Sequence, residues 1–310
     1  MHIAIIGAGG VGCYYGARLL DHGLDVSFIA RGNHLEALQT NGLELTHPNF
    51  EFKGFVDTYD METLLQRSSK EFDALIVLTK TMSTRDIALA LSKWCKDHTP
   101  YIISLQNGVE NEEILASYIN PQKIIGGLSV KIGAHIIAPG VVHAIGVAQT
   151  PLGLWKHSLE GERFLDTFTA LLNASQIPAS ISKNIRLELW KKLAINNGVN
   201  AICALLEKKT GDIIHDKKLS KIVLGLMRET AIAAKVAHVD MSEKDVQEMF
   251  EVIRRFDSIK PSMLVDRENS RPLELDDICG VVIRNCESQG VDAPYTRTIS
   301  TLLETLYSPS

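Results

Sequence analysis

The chain has 310 residues, of which 45% are hydrophobic and 22% are charged. That length allows two domains of ordinary size, and that composition is typical of a packed globular protein rather than a disordered one. The formal net charge is −5 and no long basic run occurs, which argues against nucleic acid as the main partner. Because no stretch approaches about 18 uninterrupted apolar residues, we predict that no segment spans a membrane.

The cysteines are scattered along the chain, at Cys13, Cys95, Cys203, Cys279 and Cys286. Their number is odd and no two of them form a C-x-x-C pair, which argues against a disulfide scaffold and against a metal site of the zinc type. Reduced cysteines favour a cytoplasmic protein. The first apolar run begins without a basic segment before it, so we expect no secretory signal.

The first half of the chain alternates short apolar runs with helical patterns. The predicted strands are HIAIIG, LDVSFIA, FDALIVLT and YIISLQ. The segments between them, VGCYYGARLLDHG, HLEALQTNG and STRDIALALSKWCKDH, have helical spacing, and another helix is predicted from about Glu110. Apolar strands separated by helices predict a parallel sheet covered on both faces.

From about residue 123 to residue 182 the pattern changes. The stretch KIIGGLSVKIGAHIIAPGVVHAIG predicts antiparallel strands that turn at Pro139-Gly140. A strand near TPLGLW, a helix near ERFLDTFTALLNAS and a strand near IPASIS are predicted to follow. Because helical patterns dominate from Ile185 onward, we predict one domain over residues 1–183 and a mostly helical one over residues 184–310.

The first predicted strand runs into a turn that matches G-x-G-x-x-G. Its residues are Gly7, Ala8, Gly9, Gly10, Val11 and Gly12. The pattern alone is weak, but here it follows a strand and opens a helix, which is the context that dinucleotide binding requires. The first glycine would permit the tight turn, the second the approach of a pyrophosphate, and the third close packing of helix and strand. A glycine turn without a ligand is the alternative.

Polar residues end three further strands of the predicted sheet. The second strand ends at Ala30 and Arg31, where an NAD site usually has a carboxylate on the ribose 2′-hydroxyl. An arginine can instead bind a 2′-phosphate, which favours NADP over NAD; a surface arginine is the alternative. Lys80 and Asn107 end the next two strands. Because ligands of open α/β sheets bind outside the carboxyl ends of the strands, we expect these side chains at one crevice.

The segment WKKLAINNGVN, residues 190–200, has three asparagines and a glycine in a helical context. Asparagine weakens a helix slightly relative to alanine, and glycine by about 1 kcal/mol. Lys192, Asn196 and Asn200 are spaced four apart and fall on one face. A cation beside a carbonyl oxygen stabilises a forming alkoxide and can protonate it. We therefore interpret this stripe as a site for carbonyl reduction, with a solvated polar stripe as the alternative.

Further along, PSMLVDRENSRPLELDDICGVV joins Ser262 to Glu274 across an irregular charged segment. Asp276 and Asp277 are predicted to lie in the first turn of the following helix, where negative charge is favourable against the helix dipole. A capping role is the simplest interpretation of Glu274.

The order of these motifs resembles the ketopantoate reductase (2-dehydropantoate 2-reductase) family over nearly the whole chain. It runs from the glycine turn through the lysine and the Asn-Gly pair at two strand ends to W-x-K-x-x-x-N-x-x-x-N, SM and LELD. The resemblance implies an α/β N-terminal Rossmann-type domain that binds NADPH, followed by a mostly α-helical C-terminal domain like that of 6-phosphogluconate dehydrogenases. It implies reduction of ketopantoate to pantoate on the route to pantothenate and coenzyme A.

The resemblance also assigns roles to individual residues. It implies Lys192 as general acid and Glu274 as its catalytic companion. The substrate-binding residues that it implies are Asn107, Lys192, Asn196, Asn200, Ser262 and Glu274. It places Lys80 and Asn107 in the cofactor and substrate cleft. With the six residues of the glycine turn and Arg31, which the motifs themselves indicate, these are the predicted cofactor-binding residues.

Three questions stay open from the sequence. Some members of the family have a further asparagine where this chain has Thr210, so a related reductase of another 2-oxo acid is an alternative. A redox sensor that binds NADPH without turnover is a second alternative. The expected partner is a small-molecule substrate, a 2-oxo acid, and a homodimer is the candidate assembly.

Overall fold

The computed structural model describes residues 1–255 and 258–307 of the chain. The chain divides into two compact units, Met1–Ile185 and Arg186–Ser310. The first unit is built on a large sheet with helices, and the second is helical. The predicted fold class, an α/β domain followed by a mostly helical one, is confirmed.

The elements of the first unit alternate as the sequence predicts. Its strands are β1 (His2–Ile6), β2 (Asp25–Ile29), β3 (Leu43–His47), β4 (Phe50–Gly54), β5 (Asp57–Tyr59), β6 (Ala74–Val77), β7 (Tyr101–Ser104), β8 (Ile124–Gly127), β9 (Val130–Ala138), β10 (Val141–Leu154) and β11 (Ala179–Ile181). Its helices are α1 (Gly10–Asp21), α2 (Gly32–Asn41), α3 (Met61–Gln66), α4 (Thr84–Trp94), α5 (Asn111–Tyr118) and α6 (Leu159–Ala174).

The strand order is β4-β3-β10-β8-β7-β6-β1-β2-β5, with β9 and β11 each paired to β10. The six strands from β8 to β5 run parallel, as predicted. Beyond them the sheet is mixed, because β10 is antiparallel to β8 and β9 but parallel to β3. The parallel part places the carboxyl ends of β1, β2, β6 and β7 at one edge of the sheet.

Successive residues of the central strands face opposite sides of this sheet. In β1, Ile3 and Ile5 belong to one buried cluster, whereas Ala4 and Ile6 belong to another. All four side chains are at most 2% exposed. Both faces are therefore covered, which is why these strands appear in the sequence as unbroken apolar runs rather than as alternating ones.

Several elements of the first unit differ from the predicted ones. The antiparallel hairpin of β3 and β4 and the short strand β5 were not predicted, and β8 was not separated from the strands that follow it. The predicted strand near TPLGLW is the end of β10, a single strand of 14 residues. The predicted turn at Pro139-Gly140 lies between β9 and β10, which are antiparallel as expected.

The second unit consists of packed helices. They are α7 (Ile185–Leu206), α8 (Thr210–Ile214), α9 (Leu219–Ala234), α10 (Glu243–Arg255), α11 (Ser262–Glu268), α12 (Val281–Glu287) and α13 (Pro294–Tyr307). A π-helical turn, Asp276–Gly280, leads directly into α12. Within residues 1–255 and 258–307 we find no helix with the length and apolar character needed to cross a membrane.

Candidate active site

The glycine turn after β1 has a backbone that only small residues allow. Gly7 has φ +98°, and a Cβ atom there would lie 2.8 Å from Thr79. A Cβ on Gly12 would overlap the carbonyl oxygen of Gly7, and one on Gly10 would overlap the backbone of Ala134 in β9. These three glycines are therefore required by the fold itself.

Gly9 differs from the other glycines of the turn, because a Cβ there would meet no atom within 4 Å. Gly9 is also the N-cap residue of α1, and no side chain of the described residues caps that helix start. The start of α1 thus combines open space with backbone N–H groups and the positive end of the helix dipole. Such an arrangement can bind a phosphate group through the backbone.

Arg31 lies at the end of β2, next to the glycine turn. The N–H groups of Gly7 and Ala8 donate to the carbonyl of Ile29 at 3.2 and 3.0 Å, which ties the turn to this strand end. Arg31 is exposed and is the N-cap residue of α2. Arg31 is thus on the same edge of the sheet as the start of α1.

Lys80 and Asn107 follow β6 and β7, and both are exposed. Their loops are joined by hydrogen bonds to the backbone. The hydroxyl of Thr81 donates to the carbonyl of Asn107 at 2.9 Å, and the amide of Asn111 donates to the same carbonyl at 2.7 Å. The two strand ends that the sequence places at one edge are therefore held together as a unit.

A buried relay behind these loops was not predicted. The amide nitrogen of Gln106 donates to the carbonyl of Thr79 at 3.0 Å and to the hydroxyl of Thr84 at 2.8 Å. The Thr84 hydroxyl in turn donates to Asn111 at 2.7 Å. The available signal in the sequence was the glutamine at the end of the predicted strand YIISLQ, which the structure shows to be only 2% exposed. This relay fixes the loop on which Asn107 lies.

The lysine and asparagine stripe lies on α7, which is helical over its full predicted length. Lys192 and Asn196 are half-buried, whereas Asn200 is only 3% exposed. The side-chain oxygen of Asn200 has no hydrogen-bond partner among the described residues. The oxygen of Asn197 likewise has no partner among the described residues, so the feature that distinguishes Asn200 is the helix face that it shares with Lys192. On that face, a buried amide oxygen without a partner is suited to a ligand that donates a hydrogen bond.

Asn197, between the stripe residues, has a different role. It is fully buried, and its amide nitrogen lies 3.1 Å from the hydroxyl of Thr230, 3.0 Å from that of Thr296, and 3.1 Å from the carbonyl of Leu226. Thr230 donates its own proton to Leu226, so the amide of Asn197 must be the donor here. One side chain thus holds α7 to both α9 and α13.

Gly198 is required by the packing of α7 on α9. A Cβ at this position would lie 2.9 Å from the side chain of Met227. From the sequence, we explained the weak helix propensity of WKKLAINNGVN by the stripe of Lys192, Asn196 and Asn200 alone. The structure corrects that interpretation, because Asn197 and Gly198 are explained by contacts between helices and only Asn196 and Asn200 belong to the stripe.

Glu229 completes the buried polar network around Asn197. Its carboxylate is 5% exposed and accepts from the backbone N–H groups of Tyr295 and Thr296, each at 2.8 Å. It also accepts from the Thr296 hydroxyl at 2.7 Å. The carboxylate therefore caps the start of α13 from α9 and orients the hydroxyl that accepts from Asn197.

Lys191, the neighbour of Lys192, pairs with Asp245 at the start of α10. The Lys191 Nζ to Asp245 Oδ1 distance is 2.8 Å, and the two side chains are 16% and 17% exposed. Burial favours the neutral acid, but hydrogen bonds from Lys191 and Ser242 outweigh it and lower the pKa of Asp245 to about 2. Asp245 therefore stabilises the fold in its charged form.

We expect Asp245→Asn to lower the free energy of unfolding at neutral pH by about 1–2 kcal/mol. The carboxyl pKa is about 2 in the folded chain against an ordinary value of 3.8. The stabilisation that the charged Asp245 gives the folded chain is thus fully present at pH values above 3.8, and it is lost as the pH falls toward 2. Urea unfolding at a series of pH values should show the difference from wild type shrinking with acidification. The exposed Asp240→Asn serves as control, and a difference that does not depend on pH would contradict this account.

Ser262 and Glu274 lie on either side of an irregular segment of the second unit. Ser262 is the first residue of α11 and is exposed. Glu274 is half-buried and lies just before the helical turn that contains Asp276 and Asp277. That turn is π-helical rather than α-helical, and such turns occur frequently at functional sites. Asp276 also forms an ion pair with Arg284, eight residues or about two helical turns later.

An α/β unit with a glycine turn after its first strand, followed by a helical unit, is the architecture of nicotinamide-dependent oxidoreductases. Two family models match this chain. The one described as ketopantoate reductase PanE/ApbA covers residues 3–157, and its C-terminal counterpart covers residues 184–307. The chain therefore belongs to the ketopantoate reductase family.

Individual relatives resemble the chain over nearly its full length. A 2-dehydropantoate 2-reductase from Archaeoglobus fulgidus is 28% identical over 303 residues, which is 97% of this chain and 96% of the relative. The solved 2-dehydropantoate 2-reductase from Geobacter metallireducens has a TM-score of 0.80 at 28% identity, covering 99% of this chain and 100% of its own. A D-mandelate dehydrogenase with NADH and anilino(oxo)acetate has a TM-score of 0.85 at 24% identity over 98% of both chains, a likeness of fold alone.

Proposed function

We propose that this chain reduces 2-dehydropantoate (ketopantoate) to pantoate with NADPH, a reaction on the route to pantothenate and coenzyme A. The stripe on α7 supports this most strongly. A half-buried lysine and asparagine lie on one face with the buried Asn200, whose amide oxygen has no partner within the described residues. That arrangement suits a substrate with a carbonyl oxygen and hydrogen-bonding groups, and family membership supports ketopantoate as that substrate.

The cofactor would be held by the first unit. The glycine turn and the start of α1 would bind its pyrophosphate, since the space beside Gly9 is open and α1 has no side-chain cap among the described residues. Arg31 would bind the 2′-phosphate, with Lys80 and Asn107 contacting the cofactor at their strand ends. When bound, NADPH supplies the hydride that the carbonyl carbon gains.

The second unit would supply the proton and the substrate contacts. As the carbonyl carbon gains a hydride, its oxygen develops negative charge, which the ammonium of Lys192 stabilises and then protonates to give the alcohol. Glu274 is the proposed companion of this lysine. Asn196, Asn200 and Ser262 would bind the rest of the substrate without adding charge.

We expect Arg31→Ala to reduce the preference for NADPH over NADH about 10- to 150-fold. The reason is the loss of a charge-assisted contact with the 2′-phosphate, which is worth about 1.5–3 kcal/mol. The ratio of kcat/KM for the two cofactors measures the change. Arg163→Ala, at an exposed position on α6, is the matched control and should leave the ratio unaltered. Equal use of NADPH and NADH by the wild-type protein would overturn the assignment of Arg31.

A reductase of another 2-oxo acid is the second candidate, and Thr210 favours it because some members of the family have asparagine there. A panel of 2-oxo acids assayed for NADPH consumption tests both candidates and the sensor alternative. The proposed function predicts turnover, fastest with ketopantoate. Fastest turnover with a different 2-oxo acid would support the second candidate, and NADPH binding without turnover on any acid would support the sensor.

A further inference from the structure

Hydrogen bonds join Thr210 to the segment that leads into Ser262. Thr210 begins α8 and is only 5% exposed. Its N–H donates to the carbonyl of Ile259 at 3.0 Å, and its hydroxyl accepts from the N–H of Ile259 at 3.1 Å and donates to that carbonyl at 3.3 Å. The N–H of Gly211 donates to the hydroxyl of Ser258 at 3.2 Å. We name these contacts the Thr210 clamp.

The other end of α11 is attached to the C-terminus of α7. Arg267, in the last turn of α11, donates to the backbone carbonyls of Ala204 and Leu205 and pairs with Glu207. The Arg267 side chain is 12% exposed, whereas that of Glu207 is 68% exposed, so the bonds to the backbone carbonyls are the part of this attachment that is shielded from water. The helix that begins with Ser262 is thus held at both ends against the end of α7 and the residues that follow it.

We propose that Thr210 is a positioning residue for substrate recognition, which acts by setting where the Ser262 hydroxyl lies relative to Asn200. This rests on the function proposed above, in which both residues bind the 2-oxo acid. The link from Ile259 to Ser262 is short and contains Pro261, whose ring fixes its φ angle. We therefore expect a displacement of Ile259 to shift Ser262 as well.

The side chain at position 210 sets the distance between the backbone of that residue and the backbone of Ile259. Through a single oxygen atom, the threonine hydroxyl accepts from the N–H of Ile259 and donates to its carbonyl. The amide of asparagine can also donate and accept, but its polar atoms lie one bond farther from the backbone. An asparagine in place of Thr210 would move the segment or release it. The residue at this position therefore affects where the Ser262 hydroxyl lies when a 2-oxo acid binds.

Thr210→Val removes both hydroxyl hydrogen bonds while keeping the shape of the side chain. We expect KM for ketopantoate and Kd for pantoate, measured by calorimetry, to rise about tenfold. The kcat value and the Kd for NADPH should change little, because the glycine turn and Lys192 are not part of the clamp. Thr210→Ser keeps the hydroxyl and should restore KM to within about threefold of wild type. Thr169→Val, at a buried threonine of α6, is the matched control and should leave KM unaltered.

A double-mutant cycle with Ser262→Ala separates positioning from general destabilisation. If Thr210 acts through Ser262, the double variant should bind pantoate no more weakly than Ser262→Ala alone. Additive losses would overturn the proposal, as would an unaltered KM and Kd in Thr210→Val. If Thr210→Val does not fold, the cycle is measured with Thr210→Asn, for which the same non-additivity is expected. A wild-type protein that neither binds pantoate nor reduces ketopantoate would instead refute the proposed function, and the positioning role with it.

Discussion

Replacing Lys192 with alanine is expected to lower kcat on the order of 10²- to 10⁴-fold, the usual effect of removing a proton donor. The substrate oxygen would then receive its proton from water, and no ammonium would stabilise the charge that develops on it. The Kd for NADPH should change little, because the proposed cofactor residues belong to the first unit. Steady-state kinetics measures kcat, and titration with NADPH measures its Kd.

The adjacent Lys191→Ala is a matched control for this experiment. Lys191 pairs with Asp245, so its loss should lower stability without lowering kcat comparably. The two variants remove the same functional group at neighbouring positions of α7. They differ in the face of the helix from which the lysine is removed. Near-normal turnover in Lys192→Ala, with tight cofactor binding, would show that this lysine is not the proton donor.

The second large effect concerns the 4-hydroxyl of ketopantoate. An ionised Glu274 would repel the carboxylate of a 2-oxo acid, so it is expected to accept a hydrogen bond from another part of the substrate. Ketopantoate has a hydroxyl for this purpose, whereas 2-oxoisovalerate has none. An acceptor that is left without its partner costs about 1–3 kcal/mol, and more when it is charged. We expect kcat/KM for ketopantoate to exceed that for 2-oxoisovalerate at least about 10²-fold.

Glu274→Gln should lower the ratio of kcat/KM for ketopantoate to that for 2-oxoisovalerate. A neutral amide without a hydroxyl partner costs less free energy than a charged carboxylate without one. Glu251→Gln, at an exposed position on α10, is the control and should leave the ratio at its wild-type value. Equal kcat/KM values of the wild-type protein for the two acids would refute the pantoate assignment. A reductase of another 2-oxo acid would then be the better description.

The central strands could be predicted because they are buried on both faces. The stretches IAII (residues 3–6) and ALIV (residues 74–77) contain no polar residue that would permit a solvated side, and glycine or polar residues lie near their ends. The hairpin of β3 and β4 lacks that signal, since Glu44, Glu51 and Lys53 interrupt its apolar residues. One of its strands, β3, also pairs with the distant β10, and local sequence patterns do not encode such pairing.

The helical spacing of the stripe could also be predicted, but the role of its neighbours could not. Spacing alone places Lys192, Asn196 and Asn200 on one face and leaves Asn197 as one more unexplained amide. The partners of Asn197 include Thr296, which is 99 residues away in sequence. Buried polar networks of this kind depend on tertiary packing, and a periodic pattern along one helix contains no information about them.

The most direct test of the central claim follows a deuterium label. Ketopantoate is incubated with the protein and NADPH that is deuterated at C4 of the nicotinamide, separately on each face, and the product is analysed by mass spectrometry and NMR. Reduction by hydride transfer predicts pantoate with one deuterium at C2 from one labelled face and none from the other. Consumption of NADPH without label in pantoate, or the absence of any pantoate, would contradict the proposed function.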